Sequence, residues 1–154
     1  MMRDFEKISF AQFQKDIQDN ALLYANYLLP QRDSESTAGY DIYLLEELVI
    51  KPNEIKKIPT GLKSFFEKDE VLFLIVRSST GFKYNIRLCN QVGVIDSDYY
   101  NNQDNEGHIW LKVQNEGNEI VTIPKGESIV QGIFLKYLTT QSDRNCGQER
   151  RTDY

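Results

Sequence analysis

The 154-residue sequence is poor in the residues that build metal centres and disulfide frameworks. It has two cysteines, Cys89 and Cys146, and a single histidine, His108. The two thiols follow no metal-ligand spacing and form no convincing disulfide framework, so we expect both to be reduced. With no second histidine or cysteine at ligand spacing, the sequence argues against a zinc centre.

Long hydrophobic runs and an excess of positive charge are also absent. No apolar stretch approaches the roughly 20 residues that span a bilayer, and the first residues lack the apolar core of a signal peptide. The chain carries 18 Lys and Arg against 23 Asp and Glu, a net charge of −5, whereas nucleic-acid binders normally show a basic surface. We therefore expect a cytoplasmic protein with neither a membrane nor a nucleic acid as partner.

The length and composition suit one domain, residues 1–154, with its own core. Residues 1–27 predict a strand (5–8) and then a helix that is capped by Ser9 and ends at Asp19. After Tyr40, short runs of strand-type residues alternate with turn signals, and a C-terminal arm covers 138–154. The predicted strands are 42–44, 54–58, 62–66, 71–76, 87–90, 109–114, 119–123 and 129–138. Many short strands with regular turns predict an all-β sandwich or jelly roll.

Four segments carry groups suited to chemistry: 38–41 (Ala-Gly-Tyr-Asp), 77–81 (Arg-Ser-Ser-Thr-Gly), 93–99 (Gly-Val-Ile-Asp-Ser-Asp-Tyr) and 126–131 (Gly-Glu-Ser-Ile-Val-Gln). In this order and spacing they resemble the trimeric deoxyuridine triphosphatase (dUTPase) family. The resemblance covers residues 28–137. It implies a β jelly roll (β-clip) with a short N-terminal helix, a homotrimer, and Mg²⁺-dependent hydrolysis of dUTP to dUMP and pyrophosphate by attack of water on the α-phosphorus.

The resemblance implies roles for four side chains around the reacting phosphate and the sugar. Asp96 is the base that activates the water, and Gln131 lies near the α-phosphate. Asp41 holds Mg²⁺, largely through water, and Tyr99 packs against the deoxyribose. From the residues alone, Asp96 is more readily a turn-capping residue beside Ser97.

The resemblance also implies a phosphate-binding segment at Arg77, Ser78 and Ser79. A guanidinium suits bidentate contact with phosphate oxygens, and the serine hydroxyls add neutral donors. An Arg-Ser-Ser sequence alone occurs as often in a surface turn as in a binding site. We expect Gly81 to relieve the backbone at the turn that follows.

The uracil pocket is expected between Asn90, Gly93, Val94 and Ile95 and the strand that returns near Trp110. The Asn90 amide and backbone groups can match the two carbonyls and the N–H of uracil, which cytosine would leave unpaired. For Trp110 we expect a backbone contact and a packed ring. Residues 101–106 predict a mobile polar loop at the pocket rim, and Cys89 a small core residue.

At the C-terminus the sequence departs from the family pattern of an arginine followed by a glycine-rich tail. Residues 148–154 offer Arg151, or Arg150, for the γ-phosphate, and Tyr154 as a substitute for the stacking aromatic. The missing tail predicts reduced activity, because closure organises the reacting groups.

Two other functions stay open. A regulatory binding protein, such as a phage-type dUTPase that engages a repressor, is suggested by the missing tail and by insertions at 10–20 and 101–106. A dCTP deaminase shares the fold and the Arg-Ser-Ser segment. The strand 108–114 lacks the glutamate base of that family.

Overall fold

The computed structural model describes residues 2–143, which form short strands with three short helices. The strands are β1 (Asp4–Lys7), β2 (Tyr40–Tyr43), β3 (Leu48–Ile50), β4 (Ile55–Pro59), β5 (Leu62–Phe65), β6 (Glu70–Val76), β7 (Ile86–Leu88), β8 (Gly93–Ile95), β9 (Trp110–Asn115), β10 (Val121–Ile123) and β11 (Ser128–Lys136). The helices are α1 (Phe10–Asp16), α2 (Ala21–Asn26) and α3 (Ser78–Tyr84), and a 3₁₀ turn covers Ser97–Tyr99. None of the described helices has the length and apolarity to cross a bilayer. The predicted all-β fold with a short N-terminal helical segment is confirmed.

A four-stranded antiparallel sheet in the order β2–β11–β6–β8 positions most of the predicted site residues. Along β6 the side chains alternate, as the pleat requires. Leu72 and Leu74 are buried in the core, whereas Phe73 and Ile75 are partly exposed on the opposite face. This second face therefore has a partly apolar surface.

The core lies between this sheet and the remaining strands. A three-stranded sheet, β4–β9–β7, and the pairs β1–β5 and β3–β10 complete the architecture. Ile50, Leu62, Ile109, Val113 and Ile129, from four different strands or their ends, are each at most 1% exposed. One continuous cluster of buried residues thus joins all the sheets.

The N-terminal helix ends earlier than predicted and is followed by a second one. Ile17 caps α1, and Asn20 begins α2 by accepting a hydrogen bond from the Leu23 N–H with its side chain. Asparagine is a favoured N-cap, which explains why the chain starts a new helix here. Phe13 of α1 packs against Tyr27, which ends α2 as its C-cap, with their ring centroids 5.8 Å apart.

The segment after Arg77 is a helix, α3, rather than the predicted turn at Gly81. Arg77 is its N-cap, and Asn85 ends it in the left-handed conformation (φ 55°). The buried Thr80 hydroxyl donates to the Ile129 carbonyl at 2.8 Å, which fixes the helix to β11. Gly81 lies inside the helix without positive φ, so the prediction that it relieves a turn was wrong.

Candidate functional site

Three of the predicted site residues converge from adjacent strands of the four-stranded sheet. Asp41 on β2 is the cross-strand partner of Gln131 on β11. Arg77 follows β6, and its backbone N–H donates to the Ile129 carbonyl at 3.0 Å. Its side-chain Nε lies 3.2 Å from Asp41 Oδ1. We call these residues the Asp41–Arg77–Gln131 cluster.

The electrostatics of the cluster suit a divalent cation. Burial raises the pKa of Asp41, Arg77 opposes this, and the neighbouring carboxylate of Asp33 raises it further. Asp33 lies 3.8 Å from the Arg77 guanidinium. The two carboxylates of Asp33 and Asp41 therefore share the single positive charge of Arg77. Oxygen donors with surplus negative charge are what Mg²⁺ prefers. Within residues 2–143 there is no group of three or more metal-ligating side chains, so an ion here would need ligands from water or phosphate.

Gly39 shapes the cluster, a role that the sequence analysis did not assign. The Gln131 Nε2 donates to the Val76 carbonyl at 3.4 Å. A Cβ added to Gly39 would lie 2.0 Å from Gln131 Oε1 and 2.9 Å from its Cβ. Only glycine leaves space for this side chain. The glycine that directly precedes Tyr40 and Asp41 was the available signal.

Ser78 and Ser79 are exposed in the first turn of α3, next to Arg77. Their hydroxyls are therefore accessible beside the guanidinium. The contacts of Thr80 and Arg77 with Ile129 hold this turn in place. The structure thus brings the three residues of the predicted phosphate segment together.

Asp96 lies on a different part of the molecule. It directly follows β8, begins the 3₁₀ turn, and its exposed side chain makes no capping hydrogen bond to that turn. The interpretation of Asp96 as a turn cap is therefore not supported.

Tyr99 is almost completely buried, with 6% of its surface exposed. Its Oη donates to the His108 carbonyl at 2.7 Å and accepts from Asn105 Nδ2 at 2.8 Å. The ring consequently has little freedom to move.

Strand β8 presents hydrogen-bonding groups of its backbone, rather than of its side chains, to a ligand. It forms the edge of its sheet in the described part of the chain, and edge strands present unpaired N–H and C=O groups. The Ile95 side chain is buried and that of Val94 is 56% exposed. A Cβ on Gly93 would lie 2.9 Å from the Leu74 Cβ, so packing against β6 already explains this glycine.

Asn90 and Trp110 line a shared depression of about 320 Å³. Its full lining is Lys57, Cys89, Asn90, Trp110, Leu111 and Lys112. The Trp110 ring contacts the Lys57 ammonium (4.6 Å from Nζ to the ring centroid) and the His108 ring (4.9 Å between centroids). Trp110 is thus a packed aromatic, as expected. Cys89 lines the depression and is only half-buried, so its prediction as a core residue was wrong.

The polar loop 101–106 is folded on itself rather than open. Asn102 and Asn105 are buried and hydrogen-bonded to each other at 2.9 Å. Glu106 accepts from the Ser9 N–H and Oγ at 2.7 and 2.5 Å and pairs with Lys63 at 3.0 Å. Burial would raise the pKa of Glu106, but these contacts outweigh it and lower the pKa. The loop is therefore tied to the N-terminal segment.

His108 has a structural role. It is fully buried, its Nε2 accepts from the Gly61 N–H at 2.9 Å, and its Nδ1 lies 2.6 Å from Asp16. Since Nε2 is the acceptor, the proton sits on Nδ1 and points to the carboxylate. Both ring nitrogens are thereby engaged within the chain.

Within one chain, Asp96 and Gln131 are far apart. Ile95 faces Leu72 of β6 and Gln131 faces Ile75, on opposite sides of β6. Extending the register by one residue to Asp96, four steps along β6 and two strand spacings give a Cα separation of roughly 16 Å. The hydrogen bond to Val76 turns the Gln131 amide further away. A single chain does not place both groups on one phosphorus atom.

The predicted contacts of Arg150 or Arg151 with the γ-phosphate and of Tyr154 with the base lie outside the described residues, as does Cys146. They stay predictions.

Comparison with known proteins gives consistent similarities. A family model described as dUTPase matches residues 25–153. The deoxyuridine 5′-triphosphate nucleotidohydrolase of Lactococcus lactis subsp. lactis (strain IL1403) is 48% identical over 124 residues, which cover 80% of this chain and 83% of the relative. The protein of the same name from Desulfitobacterium hafniense (strain DSM 10664 / DCB-2) is 40% identical over 131 residues, which cover 77% and 83%. The crystal structure of dUTPase from Streptococcus mutans superposes with a TM-score of 0.73 at 39% identity and covers 90% of this chain and 99% of that one.

Proposed function

The chain belongs to the dUTPase family, and we propose how its own residues perform the hydrolysis of dUTP to dUMP and pyrophosphate. The dUTPase activity and the jelly-roll fold are the predictions that the relatives confirm. The assignment of individual residues, the metal, the homotrimer and the cytoplasmic location are proposals.

Asp96 is the general base. Its carboxylate is exposed at the end of β8, and it accepts a proton from water as the water attacks the α-phosphorus. The bond from the α-phosphorus to the bridging oxygen then breaks, and pyrophosphate leaves.

The Asp41–Arg77–Gln131 cluster binds the triphosphate. Arg77 is oriented by Asp41 at 3.2 Å, which leaves its remaining N–H groups for phosphate oxygens. The exposed hydroxyls of Ser78 and Ser79 add donors. The amide of Gln131, kept in place by Gly39, contacts the α-phosphate. Asp41, near Asp33, would hold Mg²⁺ through water, and the ion would orient the triphosphate and offset negative charge on the leaving group.

The uracil base and the deoxyribose of dUTP lie against β8, Asn90 and Tyr99. The free edge of β8 and the Asn90 amide supply donors and acceptors for uracil, beside the depression at Trp110. Tyr99 forms the wall against the deoxyribose, and its buried, hydrogen-bonded ring favours a rigid wall.

The active site is completed by a second copy of the chain in a homotrimer. The roughly 16 Å between Asp96 and Gln131 calls for a second contributor, since water and α-phosphorus must meet both groups. The sheet face between them carries an apolar cross-strand row of Val94, Phe73 and Ile133, and Val94 is 56% exposed. Such a face is suited to contact between identical subunits.

The observation that carries this proposal is the convergence of Asp41, Arg77 and Gln131. They lie on the same sheet whose edge strand, β8, leads into Asp96. The proposal is tested by measuring pyrophosphate release from dUTP, dCTP, dTTP and UTP, with and without Mg²⁺, for the wild type and for Asp96→Asn. We expect selective, Mg²⁺-dependent turnover of dUTP and a loss of about 10²-fold or more in the variant, the usual contribution of a general base. Full activity in Asp96→Asn would refute its role.

A regulatory partner stays a prediction. Each of the two insertions that suggested one contacts a residue that borders the other, through Glu106–Ser9 and Asp16–His108. This arrangement favours an internal bracing role for both segments.

A further inference from the structure

The hydroxyl of Tyr99 is held from two directions by the loop that follows it. It donates to the His108 carbonyl at 2.7 Å and accepts from Asn105 Nδ2 at 2.8 Å. Tyr99 is 6% and Asn105 7% exposed. Water therefore competes little for these hydrogen bonds, which strengthens them.

Asn105 is itself fixed at its other end. Its Oδ1 accepts from Asn102 Nδ2 at 2.9 Å and from the Gly107 N–H at 3.1 Å. The Asn102 Nδ2 also donates to the Tyr99 carbonyl at 2.8 Å. The same loop thus holds Tyr99 at its backbone and at the tip of its ring.

The loop is braced against the rest of the domain at two further points. Glu106 binds Ser9 and Lys63, and the His108 ring contacts Asp16. These contacts link it to α1 and β5.

The backbone of the loop leaves little room for adjustment. Gly107 adopts φ 88°, and a Cβ there would lie 2.9 Å from both the Asn101 N and the Tyr99 O. Asn101 and Glu106 also have positive φ. The conformation is therefore specified by the sequence of the loop.

A rigid wall matters for the choice between ribose and deoxyribose. Apolar pockets reject an added hydroxyl only weakly, by about 10², when exclusion rests on size, and a wall that yields rejects it less. We propose that Asn105 is a positioning residue that, together with the His108 carbonyl, keeps the Tyr99 ring in place and thereby sets the preference for dUTP over UTP. This inference rests on the proposed packing of the deoxyribose against Tyr99.

The test compares kcat/KM for dUTP and UTP in Asn105→Ala and Tyr99→Phe. Both variants release the ring, the first by removing the amide and the second by removing the hydroxyl. The ratio of the two kcat/KM values should fall roughly three- to tenfold, as for the loss of one ordinary hydrogen bond. Part of the fall should be an absolute rise in kcat/KM for UTP, which damage to the fold would not produce.

Tyr100→Phe is the matched control. It also removes a tyrosine hydroxyl of this region, one that donates to Glu6 at 2.5 Å, so its ratio should equal that of the wild type. Tyr99→Ala separates the contact of Tyr99 with the sugar from the positioning role of Asn105. An unchanged ratio in Tyr99→Ala would refute the sugar contact itself. A reduced ratio there, with wild-type ratios in Asn105→Ala and Tyr99→Phe, would overturn only the positioning role. If Asn105→Ala does not fold, Tyr99→Phe decides alone.

Discussion

Two inactive variants should regain activity when their subunits are mixed, because Asp96 and the Asp41–Arg77–Gln131 cluster reach one substrate from different copies. The perturbations are Asp96→Asn, which removes the base, and Gln131→Ala, which removes a donor to the α-phosphate. Each alone should lower kcat by about 10² or more. When trimers assemble at random from equal amounts of the two variants, half of the copies that supply Asp96 to a site carry it intact. Independently, half of the copies that supply Gln131 carry that residue intact. About a quarter of the sites are then intact, and activity should recover to about a quarter of the wild type.

The assay unfolds and refolds the two variants together, each with a different affinity tag, and measures pyrophosphate release across mixing ratios. Recovery should peak at equal amounts. Arg77→Ala mixed with Gln131→Ala is the matched control. Both residues come from the same copy, so no site regains the pair and no recovery is expected. The shared site is refuted if doubly tagged trimers form but activity stays at the parental level, or if the control recovers equally.

Two further predictions follow from single contacts. Gly39→Ala should lower kcat by about tenfold or more with little change in melting temperature, because the new Cβ, 2.0 Å from Gln131 Oε1, displaces the amide. Gly81→Ala, with no atom within 4 Å of its Cβ, should keep activity and stabilise α3 by up to about 1 kcal/mol; equal kinetics in both variants would contradict the role of Gly39. Burial lowers the pKa of His108 below 6.5 despite Asp16, so the unfolded state takes up its proton first as the pH falls. This contribution to stability should be complete above about pH 7 and should decrease as the pH falls below 6.5, with a slope of at most about 1.4 kcal/mol per pH unit. Urea unfolding should show a flatter profile in this window for His108→Gln, and an unchanged slope would contradict the argument.

Much of the fold could be predicted from local patterns. Strands such as β6 and β11 were predicted because runs of apolar and β-branched residues between turn signals are a local property. The three-residue strand β3 was missed, since so short a segment is defined by its partner, β10, rather than by its own residues. The helix α3 was missed because Ser78, Thr80 and Gly81 are weak helix formers, and the hydrogen bond from Thr80 to Ile129 that fixes it spans 49 positions.

The amino-acid sequence alone specifies the family, the chemical types of the site residues and the order of the four segments. The tertiary structure decided which residues meet: Asp41 and Gln131 are 90 positions apart in the sequence and become neighbours only through the pairing of β2 with β11. It also separated Asp96 from that cluster, and it turned a polar loop into a brace for Tyr99 through the contacts of Asn102 and Asn105. The physical reason is that residue type and local pattern are written along the chain, whereas strand register, burial and hydrogen bonds between distant residues arise only when the chain packs.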